Sequence, residues 1–371
     1  MADDRPLHGD AEWMDRALVL AATGLGLASP NPMVGAVLVR DGVLVAEGAH
    51  RGPGTPHAEA AALGVAGARA RGATCYVTLE PCAHHGQTPP CADALVEAGV
   101  SRVVAAVGDP FPLVNGRGIA RLRAAGISVE VGLRDAEARA LNRAFFCRVT
   151  RGRPHVTLKA AVTLDGKVTA VDGASRWITG EAARREAHRM RFAADAILVG
   201  VGTVLADDPE LTVRHPECSG KEPWRVVADS RLRVPPTARV LAVGDPARTV
   251  VACVHPAPPS AAEALRARGI SVIELPGEGA RVDLRALLHV LGERRVLAVL
   301  AEGGPELAAA LLDASLVDRV AFFVAPRLLG GRAAPGAVGG EGRPLKAAVS
   351  LVDVTTRRLD EDLLVEGDVA P

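Results

Sequence analysis

The pattern of apolar and polar residues in the N-terminal part of the chain predicts a compact α/β unit. Residues 11–27 carry apolar side chains at helical spacing behind a possible N-cap, Asp10. Two β-rich runs flank Asp41-Gly42, which predicts a β-hairpin. Helical and strand-like segments then alternate, in HAEAAALGVAGARARG, TCYVTL, PCADALVEAG, VSRVVAAVGD, GIARLRAAG and ISVEVGL. A hairpin followed by β-α-β steps indicates one α/β domain.

A second pattern begins after a basic, turn-forming stretch, CRVTRGRPH, at residues 147–155. Because 371 residues exceed a comfortable single core, we expect a domain boundary there. The predicted domains are residues 1–148 and 149–371, both of the α/β class. The strands and helices predicted in the second domain lie in HVTLKAAVTLDG, EAARREAHRMRFAA, AILVG, WRVVADS, RTVVACV, SVIEL, RVLAVLAEGGPELAAALLDAS, VDRVAFFVAPRLLGG and RRLDEDLLVEG.

Composition narrows the class of protein. Hydrophobic residues make up 49% and charged residues 23%, which is ordinary for a globular protein. The 43 basic and 43 acidic residues cancel, which argues against a nucleic-acid partner. Six cysteines do not make a disulfide scaffold, and the acidic N-terminus lacks the features of a signal peptide. No apolar run approaches the roughly 18 residues that span a bilayer. These observations predict a cytoplasmic protein without a membrane partner.

One loop, TLEPCAHHGQTPPC at residues 78–91, predicts a metal site. His57, Cys82 and Cys91 are the candidate ligands: one imidazole and two thiolates suit one tetrahedral zinc per chain and leave the fourth position for water. Glu59, in the sequence HAE, is close enough to act as the catalytic acid and base without binding the metal. Zinc deaminases carry H-x-E followed by P-C-x-x-C, whereas eight residues separate the two cysteines here.

Three alternatives remain open for this loop. His84 or His85 could complete a structural four-ligand zinc site, the cysteines could form a metal-free loop, or the zinc could serve another chemistry. The carboxylate of Glu59 favours catalysis, because a structural site has no use for it.

The motifs together resemble the bifunctional deaminase/reductase of riboflavin biosynthesis. The resemblance rests on SPNPMVGAVLV, TPHAEAAAL and the long loop, and it extends through LKAAVTLDGKV, SRWITG, ILVGVGTVLADDPELTVR and EGGP. It implies a cytidine-deaminase-like α/β/α N-terminal domain and a dihydrofolate-reductase-like α/β C-terminal domain. It further implies zinc-dependent hydrolytic deamination of 2,5-diamino-6-(5-phosphoribosylamino)pyrimidin-4(3H)-one. NADPH would then reduce the ribosyl group of 5-amino-6-(5-phosphoribosylamino)uracil to ribityl.

The resemblance also implies deaminase substrate contacts. Asn31, His50 and His84 would surround the pyrimidine or its sugar, and position 87 would lie near the phosphate. Two departures from the family pattern affect this expectation. Gln87 stands where the family commonly has Lys or Arg, and Phe111 stands where it commonly has Asn in DPNP.

Two glycine turns suggest a nucleotide in the second domain. GVGTV (200–204) and GGPELAA (303–309) could cradle phosphate, although each could simply turn a strand into a helix. The resemblance implies that NADPH contacts Ala161, Trp177, Thr203, Asp207, Ser230, Gly304, Pro305, Glu306, Leu307, Ala308, Ala309 and Ala310. It implies that the reductase substrate contacts Ser175, Arg191, Leu211, Arg214 and Glu302.

Four charged residues of this domain have alternative interpretations. Arg191 and Arg214 suit a substrate 5′-phosphate through paired guanidinium donors, but isolated arginines are more often solvated. Lys159 and Asp165 could orient the ring or sugar, or form a strand-end ion pair.

Rival functions remain at this point. The chain could be a zinc nucleic-acid deaminase, a non-catalytic scaffold whose zinc holds the loop, or an enzyme with only one active half. The family resemblance implies a small-molecule phosphoribosylaminopyrimidine substrate and a homo-oligomer, either a dimer or a tetramer.

Overall fold

The computed structural model describes residues 9–84, 89–174, 177–215, 217–218, 220–278 and 281–370. The chain forms two compact units, Met1–Arg151 and Gly152–Pro371. Each unit is built on its own mixed β-sheet.

Over residues 9–84 and 89–151, the N-terminal unit has five strands and six α-helices. The strands are β1 (Gly35–Arg40), β2 (Val43–Ala49), β3 (Thr74–Val77), β4 (Arg102–Ala105) and β5 (Ser128–Val131). The helices are α1 (Asp10–Ala22), α2 (Ala58–Ala66), α3 (Cys91–Ala98), α4 (Arg117–Ala124), α5 (Asp135–Leu141) and α6 (Arg143–Arg151). The sheet order is β2-β1-β3-β4-β5; β1 is antiparallel to β2 and β3, and β3, β4 and β5 are parallel. The predicted hairpin and β-α-β steps are therefore confirmed.

Helices cover both faces of this sheet because neighbouring side chains of a strand point to opposite faces. Ala36 lies in the core cluster that includes Ala62 of α2. Gly35 faces α1, where an added Cβ would lie 2.0 Å from the Ala17 carbonyl oxygen. Gly48 of β2 allows the same close approach to α2, since a Cβ there would lie 2.3 Å from the Ala58 oxygen. Small residues thus bring the first turn of α2 against the sheet.

Three local predictions in this unit are wrong. Asp10 is the first residue of α1, and the N-cap is Gly9. The helix ends at Ala22, ahead of the turn-rich segment that follows. The basic stretch predicted as turn-forming begins inside a helix, because α6 continues to Arg151.

The C-terminal unit has eleven strands and five α-helices among the residues described. The strands are β6 (His155–Thr163), β7 (Ala196–Gly200), β8 (Trp224–Ala228), β9 (Thr249–Val254), β10 (Ser271–Leu275), β11 (Gly277–Glu278), β12 (Arg281–Val282), β13 (Ala298–Ala301), β14 (Arg319–Ala325), β15 (Leu351–Leu359) and β16 (Asp362–Val369). The helices are α7 (Glu181–Ala193), α8 (Val201–Asp207), α9 (Pro259–Arg266), α10 (Leu284–Glu293) and α11 (Pro305–Asp313).

Nine of these strands form one sheet, in the order β10-β9-β8-β7-β13-β6-β14-β16-β15. The first seven are parallel, and β14, β16 and β15 are antiparallel to one another in turn. Both faces are buried: Leu198 of β7 belongs to one core cluster, and its neighbours Ile197 and Val199 belong to the other. The near-continuous apolar runs of the sequence are typical of strands buried on two faces.

Two helices of this unit, α9 and α10, were not predicted from the sequence. No helix among the described residues is long and apolar enough to cross a membrane.

Candidate functional site

His57, Cys82 and Cys91 lie together in the N-terminal unit. His57 is the N-cap of α2 and Cys91 is the first residue of α3, as expected. Cys82 lies five residues beyond the end of β3 at Val77. The His57 Nδ1 atom is 3.2 Å from the Cys91 Sγ atom and 3.6 Å from the Cys82 Sγ atom.

This donor set fits zinc. The three ligand atoms lie within 4.8 Å of one another, and tetrahedral bonds of about 2.0–2.3 Å require separations of about 3.3–3.8 Å. A hydrogen bond with Cys91 holds the pKa of the Cys82 thiol well below its usual range, and the Cys91 amide N–H donates to the Cys82 Sγ atom at 3.3 Å. The group that could hold a metal does not include His84, and His85 lies outside the described residues.

Glu59 lies beside this cluster. The first turn of α2 carries its side chain, which is 4% exposed and hydrogen-bonds the Cys91 side chain. Burial raises the pKa of Glu59 to about 7. A buried carboxyl group next to a His/Cys/Cys site is the arrangement that zinc hydrolysis of an amidine requires.

Asn31 and His50 form a second polar pair next to the metal ligands. The His50 ring lies 5.5 Å from the His57 ring, edge to face. Its Nδ1 atom is 3.1 Å from the Pro56 carbonyl oxygen, and its Nε2 atom is 3.0 Å from the Asn31 Nδ2 atom. A carbonyl can only accept, so Nδ1 carries the proton and Nε2 accepts from the Asn31 amide. The carbonyl end of Asn31 therefore remains available to a ligand.

The rings of His84 and Phe111 lie near each other. Their ring centroids are 6.3 Å apart, with an angle of 52° between the rings. The His84 Nδ1 atom is buried and has no hydrogen-bond partner among the described residues. Gln87, expected near a phosphate, lies outside the described part of the chain.

The C-terminal unit contains a cavity of about 410 Å³ at the carboxyl ends of its parallel strands. Four residues predicted to contact the cofactor line it, namely Ser230, Glu306, Leu307 and Ala310. Its remaining wall is formed by Gly200, Val201, Gly202, Ala228, Arg231, Arg233, Arg281, Val282 and Leu284. Because ligands of parallel sheets bind at the carboxyl ends of the strands, this cavity is a nucleotide-site candidate. Its glycine wall and its guanidinium groups fit a phosphorylated cofactor.

The two glycine turns meet at this cavity. The Gly304 N–H donates to the Thr203 Oγ1 atom at 3.1 Å, which joins the start of α11 to α8. The other predicted cofactor contacts are more dispersed: Ala161 is in β6, Asp207 ends α8, and Pro305, Ala308 and Ala309 lie along α11. Trp177 is 62% exposed, and the Arg184 guanidinium lies 4.6 Å from its ring centroid.

Arg191 and Glu302, predicted to contact the substrate, contact each other. The Arg191 Nε and Nη2 atoms donate to the two Glu302 carboxylate oxygens at 2.8 and 2.7 Å. The Nη1 atom donates to the backbone carbonyl oxygen of Thr212 at 3.0 Å. Burial raises the pKa of Glu302, but the positive charges of Arg191 and Lys159 outweigh it and hold the pKa at about 2. One N–H on each Nη atom of Arg191 is left for a ligand.

The remaining predicted substrate residues have different surroundings. The Arg214 Nη1 atom donates to the Glu210 carboxylate at 2.5 Å, and its side chain is 55% exposed. Leu211 packs in the core with a positive φ of 52°. Ser175 lies outside the described residues.

Lys159 and Asp165 do not form an ion pair with each other among the described residues. The Lys159 ammonium lies 5.7 Å from the Phe323 ring centroid. The Asp165 carboxylate accepts from the Thr163 hydroxyl at 2.6 Å and from the backbone N–H groups of Leu329 and Gly330.

Arg233 and Arg281 were not predicted as site residues, although both line the cavity. Arg233 follows Ser230 by three positions, so the run ADSRLR could have indicated it. Arg281 lies 51 positions after Ser230 and belongs to β12 of a short hairpin, β11–β12, far from Ser230 in the sequence.

Family models of known proteins match both units of the chain. The cytidine and deoxycytidylate deaminase zinc-binding region matches residues 8–107, and the RibD C-terminal domain matches residues 154–365. The riboflavin biosynthesis protein RibD of Actinobacillus pleuropneumoniae is 44% identical over 358 residues, which are 96% of this chain and 94% of that protein. RibD of Aquifex aeolicus is 43% identical over 356 residues, which are 96% of this chain and 97% of that protein.

Solved structures extend the likeness to the whole fold. Acinetobacter baumannii RibD has a TM-score of 0.87 at 38% identity and covers 97% of this chain and 99% of its own. The Thermotoga maritima diaminohydroxyphosphoribosylaminopyrimidine deaminase/5-amino-6-(5-phosphoribosylamino)uracil reductase has a TM-score of 0.85 at 36% identity, with 97% and 98% covered.

These likenesses confirm the predicted fold class, a cytidine-deaminase-like domain followed by a dihydrofolate-reductase-like domain. Zinc in the first domain and NADPH in the second are the cofactors of such enzymes. The chain belongs to the RibD family, the bifunctional deaminase/reductases of riboflavin biosynthesis.

Proposed function

We propose that this chain deaminates 2,5-diamino-6-(5-phosphoribosylamino)pyrimidin-4(3H)-one and then reduces 5-amino-6-(5-phosphoribosylamino)uracil to its ribityl form. We assign the first reaction to residues 1–148 and the second to residues 149–371. One observation carries the proposal: a single chain holds a His57/Cys82/Cys91 cluster beside a buried glutamate and a separate cavity lined by arginines.

In the deaminase half, His57, Cys82 and Cys91 would hold the zinc. Bound zinc supplies a water of lowered pKa as the attacking group. Glu59 takes a proton from that water and passes protons to the departing ammonia, because it lies beside the ligands without being needed as one. Its near-complete burial excludes bulk water from this transfer.

Asn31, His50 and His84 would bind the pyrimidine or its sugar. One ring nitrogen of His50 donates to the Pro56 carbonyl, and the other accepts from the Asn31 amide. His50 therefore fixes the orientation of that amide. The Asn31 carbonyl oxygen can then accept a hydrogen bond from an amino group of the substrate. The buried, unpartnered Nδ1 of His84 offers a second polar contact.

In the reductase half, the cavity would hold NADPH. Bound NADPH supplies the hydride for C1′ of the sugar. Ser230 and the start of α11 bind its phosphates, while Thr203 holds the Gly304 N–H in place. The other assigned contacts are Ala161, Trp177, Asp207 and the remainder of Gly304–Ala310.

Arg191 and Arg214 would bind the substrate phosphate, with Glu302, Ser175 and the Leu211 backbone completing the site. Arg191 is oriented for this role by Glu302, which occupies its Nε and one Nη2 proton. Arg214 is exposed and can exchange Glu210 for phosphate. Lys159 lies close enough to Glu302 to help lower the pKa of that carboxyl group.

We also propose a cellular compartment, a class of substrate and an oligomeric state for the enzyme. We assign the enzyme to the cytoplasm, because free cysteines such as Cys82 and Cys91 are typical of a reducing compartment. Its substrate is a small molecule rather than nucleic acid, in keeping with a formal net charge of zero. We also assign a homo-oligomer, dimer or tetramer, on the family precedent.

To test this proposal, the purified enzyme is given the diaminopyrimidinone substrate together with NADPH. Ammonia release and NADPH oxidation are then measured separately. Equal amounts of ammonia and oxidised NADPH are expected. Supplying the deaminated intermediate directly should consume NADPH without ammonia. Ammonia release without NADPH consumption would leave only the deaminase half of the proposal standing.

A further inference from the structure

The carboxylate of Glu80 is buried in the N-terminal unit, two residues before Cys82. It is 4% exposed and accepts hydrogen bonds from four backbone N–H groups. Oε2 accepts from Asp109 at 3.2 Å and Gly116 at 3.0 Å, and Oε1 accepts from Gly118 at 3.0 Å and Ile119 at 3.2 Å. A carboxylate has about four acceptor positions, so the donors use its whole capacity. Each of these bonds is strengthened by the negative charge.

Asp109 begins the segment of residues 109–116, which we call the 109–116 loop; Gly116 ends it, and the other two donors lie in the first turn of α4. At one end the loop leaves β4, and at the other it enters α4, whose N-cap is Gly116. A glycine N-cap has no side chain to accept the first N–H groups of a helix. Glu80 therefore caps α4 from a different segment of the chain and anchors both ends of the loop.

Close packing reinforces these bonds. The Glu80 N–H donates to the Val107 oxygen at 2.9 Å, which joins the segment carrying Cys82 to the end of β4. At Gly118, an added Cβ would lie 1.8 Å from the Pro81 carbonyl oxygen. The start of α4 thus lies directly against the backbone that leads to Cys82.

The anchored loop carries Phe111 to His84. The Asp109 Oδ1 atom accepts from the Phe111 N–H at 2.8 Å, and the Phe111 oxygen accepts from the N–H groups of Val114 and Asn115 at 2.8 and 3.0 Å. The ring of Phe111 then lies 6.3 Å from that of His84, which is two residues beyond Cys82. The Phe111 ring therefore lies next to a residue that is predicted to contact the deaminase substrate.

We propose that Glu80 is a positioning residue for deamination: it holds the 109–116 loop so that Phe111 forms the pocket wall beside His84 and sets the affinity for the pyrimidine substrate. This inference rests on the proposed deaminase function. Glu80 does not touch the substrate; it acts through Phe111. Its loss should therefore weaken substrate binding and leave the reacting groups in place.

The test is Glu80→Gln in the full-length zinc enzyme. The amide keeps one acceptor oxygen but turns an NH2 group toward two backbone donors. We expect faster hydrogen exchange at the amides of residues 109–119 and a rise in the deaminase KM of about tenfold, with kcat within about threefold of wild type. Zinc content and NADPH oxidation with the deaminated intermediate should not change. Glu97→Gln, an exposed position on α3, is the matched control.

Two outcomes would overturn the proposal. One is faster exchange in the loop with an unchanged deaminase KM. The other is a parallel loss of zinc and kcat, which would show that Glu80 acts through Cys82. If Glu80→Gln does not fold, Phe111→Ala decides: its KM should rise in the same way, and an unchanged KM refutes the role of the loop. Glu80→Asp, which keeps the charge, should give an intermediate KM.

Failure of the proposed function is distinguishable from these outcomes. In that case the wild-type enzyme itself would release no ammonia from the diaminopyrimidinone. If only the role of Glu80 is wrong, the wild-type enzyme deaminates normally and Glu80→Gln has the wild-type KM.

Discussion

Arg191 and Glu302 form a bidentate ion pair, with an Nε–Oε1 distance of 2.8 Å and an Nη2–Oε2 distance of 2.7 Å. The side chains are 15% and 8% exposed, and the Lys159 ammonium adds a second positive charge near the carboxylate. Burial lowers the pKa of Lys159, and the charge of Glu302 opposes this shift. Two basic groups around one carboxylate favour a phosphorylated ligand, because a phosphate can pair with the protonated forms of both.

Glu302→Gln should therefore damage the reductase site more than the rest of the enzyme. Removing one partner of a buried pair leaves an uncompensated charge, and we expect the C-terminal unit to lose about 3 kcal/mol of unfolding free energy. Misorientation of Arg191 should lower the reductase kcat/KM about 100-fold. NADPH oxidation with the deaminated intermediate measures this loss, while ammonia release serves as the internal control. Unchanged NADPH oxidation would contradict the role of the pair.

Glu59→Gln should abolish deamination without loss of the metal. The amide is nearly isosteric but cannot carry a proton, so ammonia release should fall by about 10²–10⁴-fold. Metal analysis should still find about one zinc per chain, because His57, Cys82 and Cys91 are intact. The reductase reaction should be unaffected. Deaminase turnover that survives this change would rule out Glu59 as the proton carrier.

Removal of zinc should separate the two activities. A chelator or the Cys91→Ser change should eliminate ammonia release, because a tetrahedral site with only two good ligands binds zinc weakly. NADPH oxidation with the deaminated intermediate should persist, since the arginine-lined cavity belongs to the other unit. Cys253→Ser, at a buried cysteine of the C-terminal unit, is the control and should keep its zinc. Loss of both activities on chelation would show that the metal also supports the reductase.

The buried pair of Arg153 and Asp318 should make stability depend on pH. Burial raises the pKa of Asp318, but hydrogen bonds from Arg153 and the nearby charges outweigh it and hold the pKa below the ordinary 3.8. Because the pKa is lower in the folded state, the ionised carboxylate stabilises the fold. Its contribution to the free energy of unfolding is complete above the unfolded-state pKa and is lost as pH falls through the folded-state pKa.

Asp318→Asn should accordingly cost about 3 kcal/mol at pH 7, and the difference from wild type should narrow below about pH 3.8. Urea denaturation at pH 7 and pH 3 measures both values. The exposed Asp353→Asn is the matched control and should change little at either pH. A difference that stays constant between the two pH values would argue against the ion pair as its source.

Arg233 and Arg281 should distinguish NADPH from NADH. Both line the cavity near Ser230, whose Oγ atom accepts from the Val282 N–H at 3.1 Å and so holds the Arg281 hairpin there. Replacing either arginine with Ala should weaken NADPH binding about tenfold and leave NADH binding unchanged, because only NADPH carries a 2′-phosphate. Calorimetric titration with both cofactors measures this, with Arg266→Ala, whose partner is Glu274, as control. Equal weakening for both cofactors would place the arginines away from that phosphate.

Short segments of the sequence were sufficient to predict several elements of the fold. Asp41-Gly42 predicted the hairpin, because Gly and Asp tolerate the positive φ angles of 74° and 53° found there. The residues around His57 and Cys91 predicted two helix starts, since both lie beside turn-forming prolines. By contrast, helix α10 was not predicted, although Asp283 caps it through hydrogen bonds to the N–H groups of Arg285 and Ala286.

The sequence by itself predicted the candidate metal ligands, the candidate proton carrier and the alternation of strands and helices, because these depend on residue type and on short spacing. It also carried the motifs by which the family is recognised. Only the tertiary structure decided that Arg191 meets Glu302 across 111 residues and that Glu80 caps a helix 38 residues away. It also brought Arg281 to the same cavity as Ser230. Contacts of this kind depend on which strands are neighbours in the sheet, and strand order follows from packing of the whole chain rather than from any short segment.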